Sequence, residues 1–159
     1  MHGNSGVCRV ESIQNMDGIG GAPQRTDYTL VPIYTSGSKL FVPTDGKRVV
    51  TRPVMTKKEA ETLLKEWDEI ETLWVENDKK REEVYKEALR SCDSRQWVKL
   101  IKTSYQRNQA RLQKGKKATT SDERYLHMAE DNLFGELAIP FEMTKGEAEE
   151  YFVAQIRGE

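Results

Sequence analysis

The sequence predicts an α+β fold: a small antiparallel β-module over residues 1–53, followed by a bundle of about five α-helices over residues 54–159. Two observations predict it. As far as Pro53, short runs rich in β-branched and aromatic residues alternate with Gly, Pro, Asp and Ser turn signals. Beyond Pro53, the boundaries carry helix-start signals and the apolar residues recur at helical spacing.

In the β-module, residues 7–14 (VCRVESIQ) alternate apolar and polar and read as a first strand. Residues 17–23 (DGIGGAP) break the pattern and are expected to be a mobile connection. A phosphate-binding glycine loop would need a helix opening behind it, and here another strand follows. Residues 26–34 (TDYTLVPIY) form that second strand, in which Pro32 predicts an edge position or a bulge because proline cannot donate to a ladder. Ser36-Gly37-Ser38 turns the chain into a third strand, 39–43 (KLFVP). The turn Pro43-Thr44-Asp45-Gly46 then leads to a candidate fourth strand, 48–52 (RVVTR).

Four pairs announce helix starts in the second half: Thr56 with Glu59, Asp93 with Gln96, Thr120 with Glu123, and Thr144 with Glu147. The first helix carries the stripe Ala60, Leu63, Leu64 and Trp67, and a second spans roughly 78–90 with Val84, Ala88 and Leu89 inward. The third starts at Asp93, is expected to bury Trp97, Leu100, Ile101, Tyr105 and Leu112, and stops at Gly115. The fourth runs from about Ser121 to Pro140 with Leu126, Ala129, Leu133 and Leu137 on one side. The fifth covers 145–157 with Ala148, Phe152 and Ile156 in register.

Charge is distributed unevenly in this chain of net charge −1. Residues 93–117 hold eight basic residues against Asp93 alone, a balance of +7, whereas residues 118–159 hold three basic and ten acidic, a balance of −7. On the third helix Arg95, Lys99 and Lys102 share one face, and Arg107, Arg111 and Lys114 repeat at i, i+4 and i+7. Such a stretch can face phosphates, or it can be a solvated helix face paired with the acidic segments. Trp74 lies between two helices beside Lys79, Lys80 and Arg81, where it can cap the core or stack on nucleic-acid bases.

Other chemistries find little support. No apolar run reaches the ~20 residues of a membrane span, and no basic segment leads into an apolar one at the N-terminus, so a cytoplasmic protein is expected. Cys8 and Cys92 lack CxxC or Cys/His spacing and read as reduced, packed thiols. His2 and His127 belong to no ligand cluster, so neither a metal nor a cofactor is expected. The abundant carboxylates fall on predicted solvated faces without a His or Cys partner pattern, so no catalytic residue is assigned and an enzyme is not expected.

The order of parts resembles a known family. Gly6-Val7-Cys8, Leu40-Phe41-Val42-Pro43, Arg52-Pro53-Val54, the Trp74 segment and residues 131–138 (DNLFGELA) together resemble the CarD family of bacterial transcription regulators, over nearly the whole chain. The resemblance implies a Tudor-like β-module that binds the β-subunit lobe of RNA polymerase, a module this family shares with transcription-repair coupling factor. It also implies a helical domain that contacts promoter DNA, largely independently of sequence, at the upstream edge of the bubble and stabilises the open complex. In the family a tryptophan ahead of a basic helix enters the minor groove there. The matching position is Trp74, with Lys80 and Arg81 following, and Lys79, Arg95, Lys99 and Lys102 complete the candidate DNA-binding set. The candidate polymerase contact is Lys39, Leu40, Phe41, Val42 and Pro43.

Family members begin with a strand of the form GDxVVY ahead of the Gly6 region, and here Met1-His2-Gly3 stands in its place. A monomer is expected, with a strand-swapped dimer as the alternative. The competing functional reading is a protein-interaction adaptor that makes no nucleic-acid contact.

Overall fold

A computed structural model describes residues 1–16 and 24–158, Met16 by its backbone only. The predicted connection at 17–23 lies outside the described residues. The architecture is α+β, as the sequence predicts: a three-stranded antiparallel sheet followed by five α-helices.

The strands are β1 (Cys8–Met16), β2 (Arg25–Pro32) and β3 (Leu40–Pro43), in the spatial order β1-β2-β3. Pro32 sits on the central strand, not on an edge. It is tolerated because β3 pairs with β2 only from Asp27↔Pro43 to Leu30↔Leu40, which leaves Pro32 facing Cys8 of β1 alone. The irregularity in the ladder lies in β1 instead, between Val10 and Ser12.

The predicted strand at 48–52 does not form within the described sheet. Its backbone turns to the chain's own start: the Gly3 N–H donates to the Val50 carbonyl at 2.9 Å and the Arg52 N–H to the Met1 carbonyl at 3.0 Å. His2 Nδ1 lies 2.6 Å from Thr51 Oγ1 and reinforces this pairing.

The helices are α1 (Lys57–Lys65), α2 (Arg81–Arg90), α3 (Ser94–Gln113), α4 (Thr120–Ala138) and α5 (Lys145–Arg157). The capping boxes at Thr56/Glu59 and Thr144/Glu147 form in full. Asp93 caps α3 through the Arg95 N–H rather than through Gln96. At α4 the cap is Thr119, one residue earlier than the sequence suggests, because its hydroxyl reaches the Asp122 N–H at 3.1 Å. Residues 78–80, expected as the first turn of α2, form a separate 3-10 turn capped by Asn77. Gly115 ends α3 with φ +70, and the N–H groups of Gly115 and Lys116 close back on Leu112 and Arg111 at 2.9 Å each.

The core is centred on α3 and α4. Trp97, Val98, Leu100, Ala129 and Leu133 are wholly buried, and residues 133–138 of α4 are buried on every side. Two core expectations fail: Tyr105 is 53% exposed and Leu112 64% exposed. The buried stretch of α3 ends at Ser104, and the later turns contact α4 through a polar link in which Arg107 donates to Asp122 at 2.8 Å.

Two hydrogen-bonding side chains help fasten the β-module to the bundle, beside the packing of Met1 and Val7 into the shared core. Arg52 reaches from the join to the fully buried Glu136 on α4 with two bonds of 2.6 and 2.7 Å, and donates through Nε to the Cys92 carbonyl at 2.6 Å. Tyr34 donates its hydroxyl to the Gly135 carbonyl at 2.6 Å. A Cβ on Gly135 would stand 3.0 Å from the Tyr34 ring, so this approach favours glycine.

Candidate nucleic-acid interface

The segment between α1 and the 3-10 turn at 78–80 presents Trp74, which is 79% exposed and the most exposed large apolar side chain among the described residues. It does not cap the core. The backbone around it is held: the Leu73 N–H donates to Thr103 Oγ1 at 2.9 Å, and that hydroxyl donates to the Lys99 carbonyl at 2.6 Å. Upstream, Lys102 Nζ donates to the carbonyls of Trp67 and Ile70, the latter at 2.8 Å, and lies 5.9 Å from the Trp67 ring centroid. Downstream, Asn77 Oδ1 accepts the Lys80 N–H at 3.2 Å. Trp74 is thus an exposed aromatic on a pre-ordered stem, which lowers the entropy lost when it engages a ligand.

The basic residues of the candidate set divide into two groups. Lys79 and Lys80 lie exposed just beyond Trp74, Lys80 with a surface ion pair to Glu76 at 2.6 Å. Such exposed pairs contribute about 0–1 kcal/mol and yield readily to a phosphate. Arg81 turns inward instead, pairing with Asp78 at 2.9 Å and lying within 3.4 Å of the Tyr85 hydroxyl. The Arg81 bond and the charge of Arg107 hold the Asp78 carboxyl below the usual range. Arg95 is ion-paired with Glu66, and Lys99 shares a hollow with Arg95, Glu66, Glu69 and Glu71. Lys102 spends its ammonium on backbone carbonyls. The +7 segment therefore offers its outward charge mainly at the far end of α3, where Lys114, Lys116 and Lys117 are exposed.

On the β-module, Phe41 stands out at 58% exposure on β3, which bonds to β2 alone in the described sheet, while Leu40, Val42 and Pro43 are half-buried. Lys39 is ion-paired with Glu11 of β1 at 2.9 Å.

Sequence reasoning missed a cleft of about 930 Å³ behind Trp74. Its floor is apolar, from Ile70, Leu73, Ile101, Phe134, Val153 and Ile156, and Trp74 and Tyr105 form its walls. Glu130 on α4 lines the same cleft and accepts from the Tyr105 hydroxyl at 3.3 Å. Burial raises the Glu130 pKa, and the nearby Glu149 and Asp131 raise it further against the Tyr105 bond. A raised carboxyl binds its proton more firmly in the folded state, so it destabilises the fold as pH climbs from the ordinary glutamate range through the raised value. Glu130→Gln is therefore expected to raise Tm by a few degrees at pH 7.5, with the gain closing at pH 4. Differential scanning calorimetry at the two pH values checks it, and an equal gain at both would reject the electrostatic cause.

Among the described residues no helix is long and apolar enough to cross a membrane. No protein-family model matches the chain, and no curated protein matches it in sequence.

Proposed function

We propose that this protein is a non-enzymatic transcription regulator that holds the β lobe of RNA polymerase through its β-module and contacts promoter DNA through the Trp74 segment, stabilising the open complex. The observation that carries this reading is Trp74, 79% exposed on a stem bonded at both ends and followed by Lys79 and Lys80. An apolar wedge beside phosphate-directed charge is what sequence-tolerant binding at a distorted duplex requires. The order of motifs that resembles the CarD family supports the same reading, and in the fold two of those segments are joined, Arg52 bonding to Glu136 in residues 131–138.

The polymerase arm is tested by capture of purified RNA polymerase, and of its isolated β lobe, on the immobilised full chain. Capture of both is expected, reduced about tenfold or more by Phe41→Asp, since burying a charge in an apolar contact costs more than 1.4 kcal/mol. Failure to retain polymerase would reject the arm, and retention unchanged by Phe41→Asp would move the contact away from β3.

The adaptor reading is favoured by one observation: Arg81, Arg95, Lys102 and Arg107 already hold partners within the chain. Binding to forked DNA that weakens steeply with salt, each neutralised phosphate adding about −0.9 to the logarithmic slope, separates the two readings. A flat salt dependence would leave the adaptor.

A further inference from the structure

We infer that the cleft behind Trp74 is the docking groove for a cationic amphipathic helix of a partner protein. The groove shares Trp74 with the proposed DNA contact, but its apolar floor and acidic rim lie behind that side chain, and the inference does not depend on the DNA reading.

Three features of the cleft define its occupant. The first is uncovered apolar surface. Ile101, Tyr105, Gln109 and Leu112 lie on one face of α3 by helical spacing, and only the first is buried. Beyond the buried Ile101, Tyr105 and Leu112 continue an apolar row that nothing described in the chain covers, Tyr105 lining the cleft and Leu112 lying outside its lining. At about 930 Å³ the cleft extends between α3, α5 and residues 67–75, which suits side chains entering in a row. Anchors at i, i+4 and i+7 of a helix enter such a groove together.

The second feature is the sign of the rim. Asp68, Glu71, Glu130 and Glu149 line the cleft against Lys102 and Arg157, and the Lys102 ammonium is bonded to backbone carbonyls. A nucleic-acid phosphate would meet net negative charge there, whereas Arg or Lys on a peptide would be drawn in.

The third is Glu130, a partly buried carboxylate held by a tyrosine hydroxyl with no ion pair among the described residues. A guanidinium from an incoming helix would supply the counter-charge it lacks. Charged bonds of this kind fix the register of a helix while its apolar anchors supply affinity.

The probe is a fluorescein-labelled synthetic helix with Leu along one stripe and Arg on both flanks, titrated by anisotropy against the full chain. Its twin with Glu for every Arg serves as control. Binding at micromolar concentration is expected, at least about tenfold weaker for the acidic twin and similarly weakened by Glu149→Lys and by Tyr105→Asp. Both positions are exposed, so the fold survives the changes, and circular dichroism verifies it. Equal affinity for the two peptides, or binding unmoved by both substitutions, would overturn the assignment. So would concentration-dependent dimerisation abolished by the same substitutions, because the occupant would then be a second copy of the chain. Capture of a single-stranded oligonucleotide that Tyr105→Asp abolishes and Glu149→Lys strengthens would overturn it in favour of nucleic acid.

Discussion

Replacing Arg52 by methionine is expected to destabilise the protein by about 3–5 kcal/mol, the cost of leaving a buried charge without its partner. The cause lies with Glu136 rather than with Arg52. Glu136 is 0% exposed on α4, and its carboxylate accepts two bonds from the Arg52 guanidinium at 2.6 and 2.7 Å and a third from the Met55 N–H at 3.2 Å. Without the guanidinium, one backbone donor remains to solvate a charge deep among apolar side chains. Arg52 also donates to the Cys92 carbonyl at 2.6 Å, where Cys92 is held at φ +54, and lies 5.8 Å from the Trp97 ring centroid. For a chain of this length the loss corresponds to a fall in Tm of roughly 10 °C, at about 2–4 °C per kcal/mol. Changing both residues, Arg52→Met with Glu136→Met, is expected to recover most of it, because matched apolar groups need no counter-charge. Urea unfolding of the single and double variants checks both statements. A single variant within about 1 kcal/mol of the parent, the scale of an exposed pair, would show that Glu136 is solvated in solution.

That network marks the limit of what the sequence makes legible. Local signals are readable because their partners are near in sequence: Thr56 and Thr144 reach donors three residues away, and Gly115 closes the helix it ends. Where two neighbours can do the same work, as Thr119 and Thr120 can, the boundary slips by one. Periodicity identifies the faces of α3 correctly near Trp97 and Leu100, but a stripe does not say how far its cover extends, so Tyr105 and Leu112 read as inside and lie outside. Residues 48–52 have strand-forming composition, and only their pairing with residues 1–3 decides that they do not extend the sheet. Charge is the least legible property. Arg95, Lys102 and Arg107 look available on a helical wheel, yet find Glu66, backbone carbonyls and Asp122 across the fold. Glu136 does carry a signal, since a single carboxylate within the apolar run of residues 133–138 must be either paired or out of place.

Trp74→Ala is expected to leave the fold intact and to shorten the lifetime of the promoter open complex by about tenfold or more. The two halves follow from the same geometry. At 79% exposure the indole contributes little to the core, and surface truncations of this kind change stability by about ±0.5 kcal/mol. Against an unpaired base or an opened step, the indole supplies stacking worth about 1–3 kcal/mol, and its anchored stem avoids much of the ordering cost. The conservative Trp74→Phe, which keeps a smaller aromatic face, is expected to fall between. Neutralising Lys79 and Lys80 should act differently, because the role proposed for them is electrostatic. Binding to any duplex should weaken, and its salt dependence should flatten by about one logarithmic unit for each phosphate left without its cation. Open-complex decay after heparin challenge, measured with each variant, separates the contributions. A lifetime unchanged by Trp74→Ala while the lysine variants lose affinity would leave the protein a backbone-binding partner of polymerase without a wedge. Unchanged behaviour in all three would remove DNA from the site and leave Trp74 as the outer wall of a groove for protein.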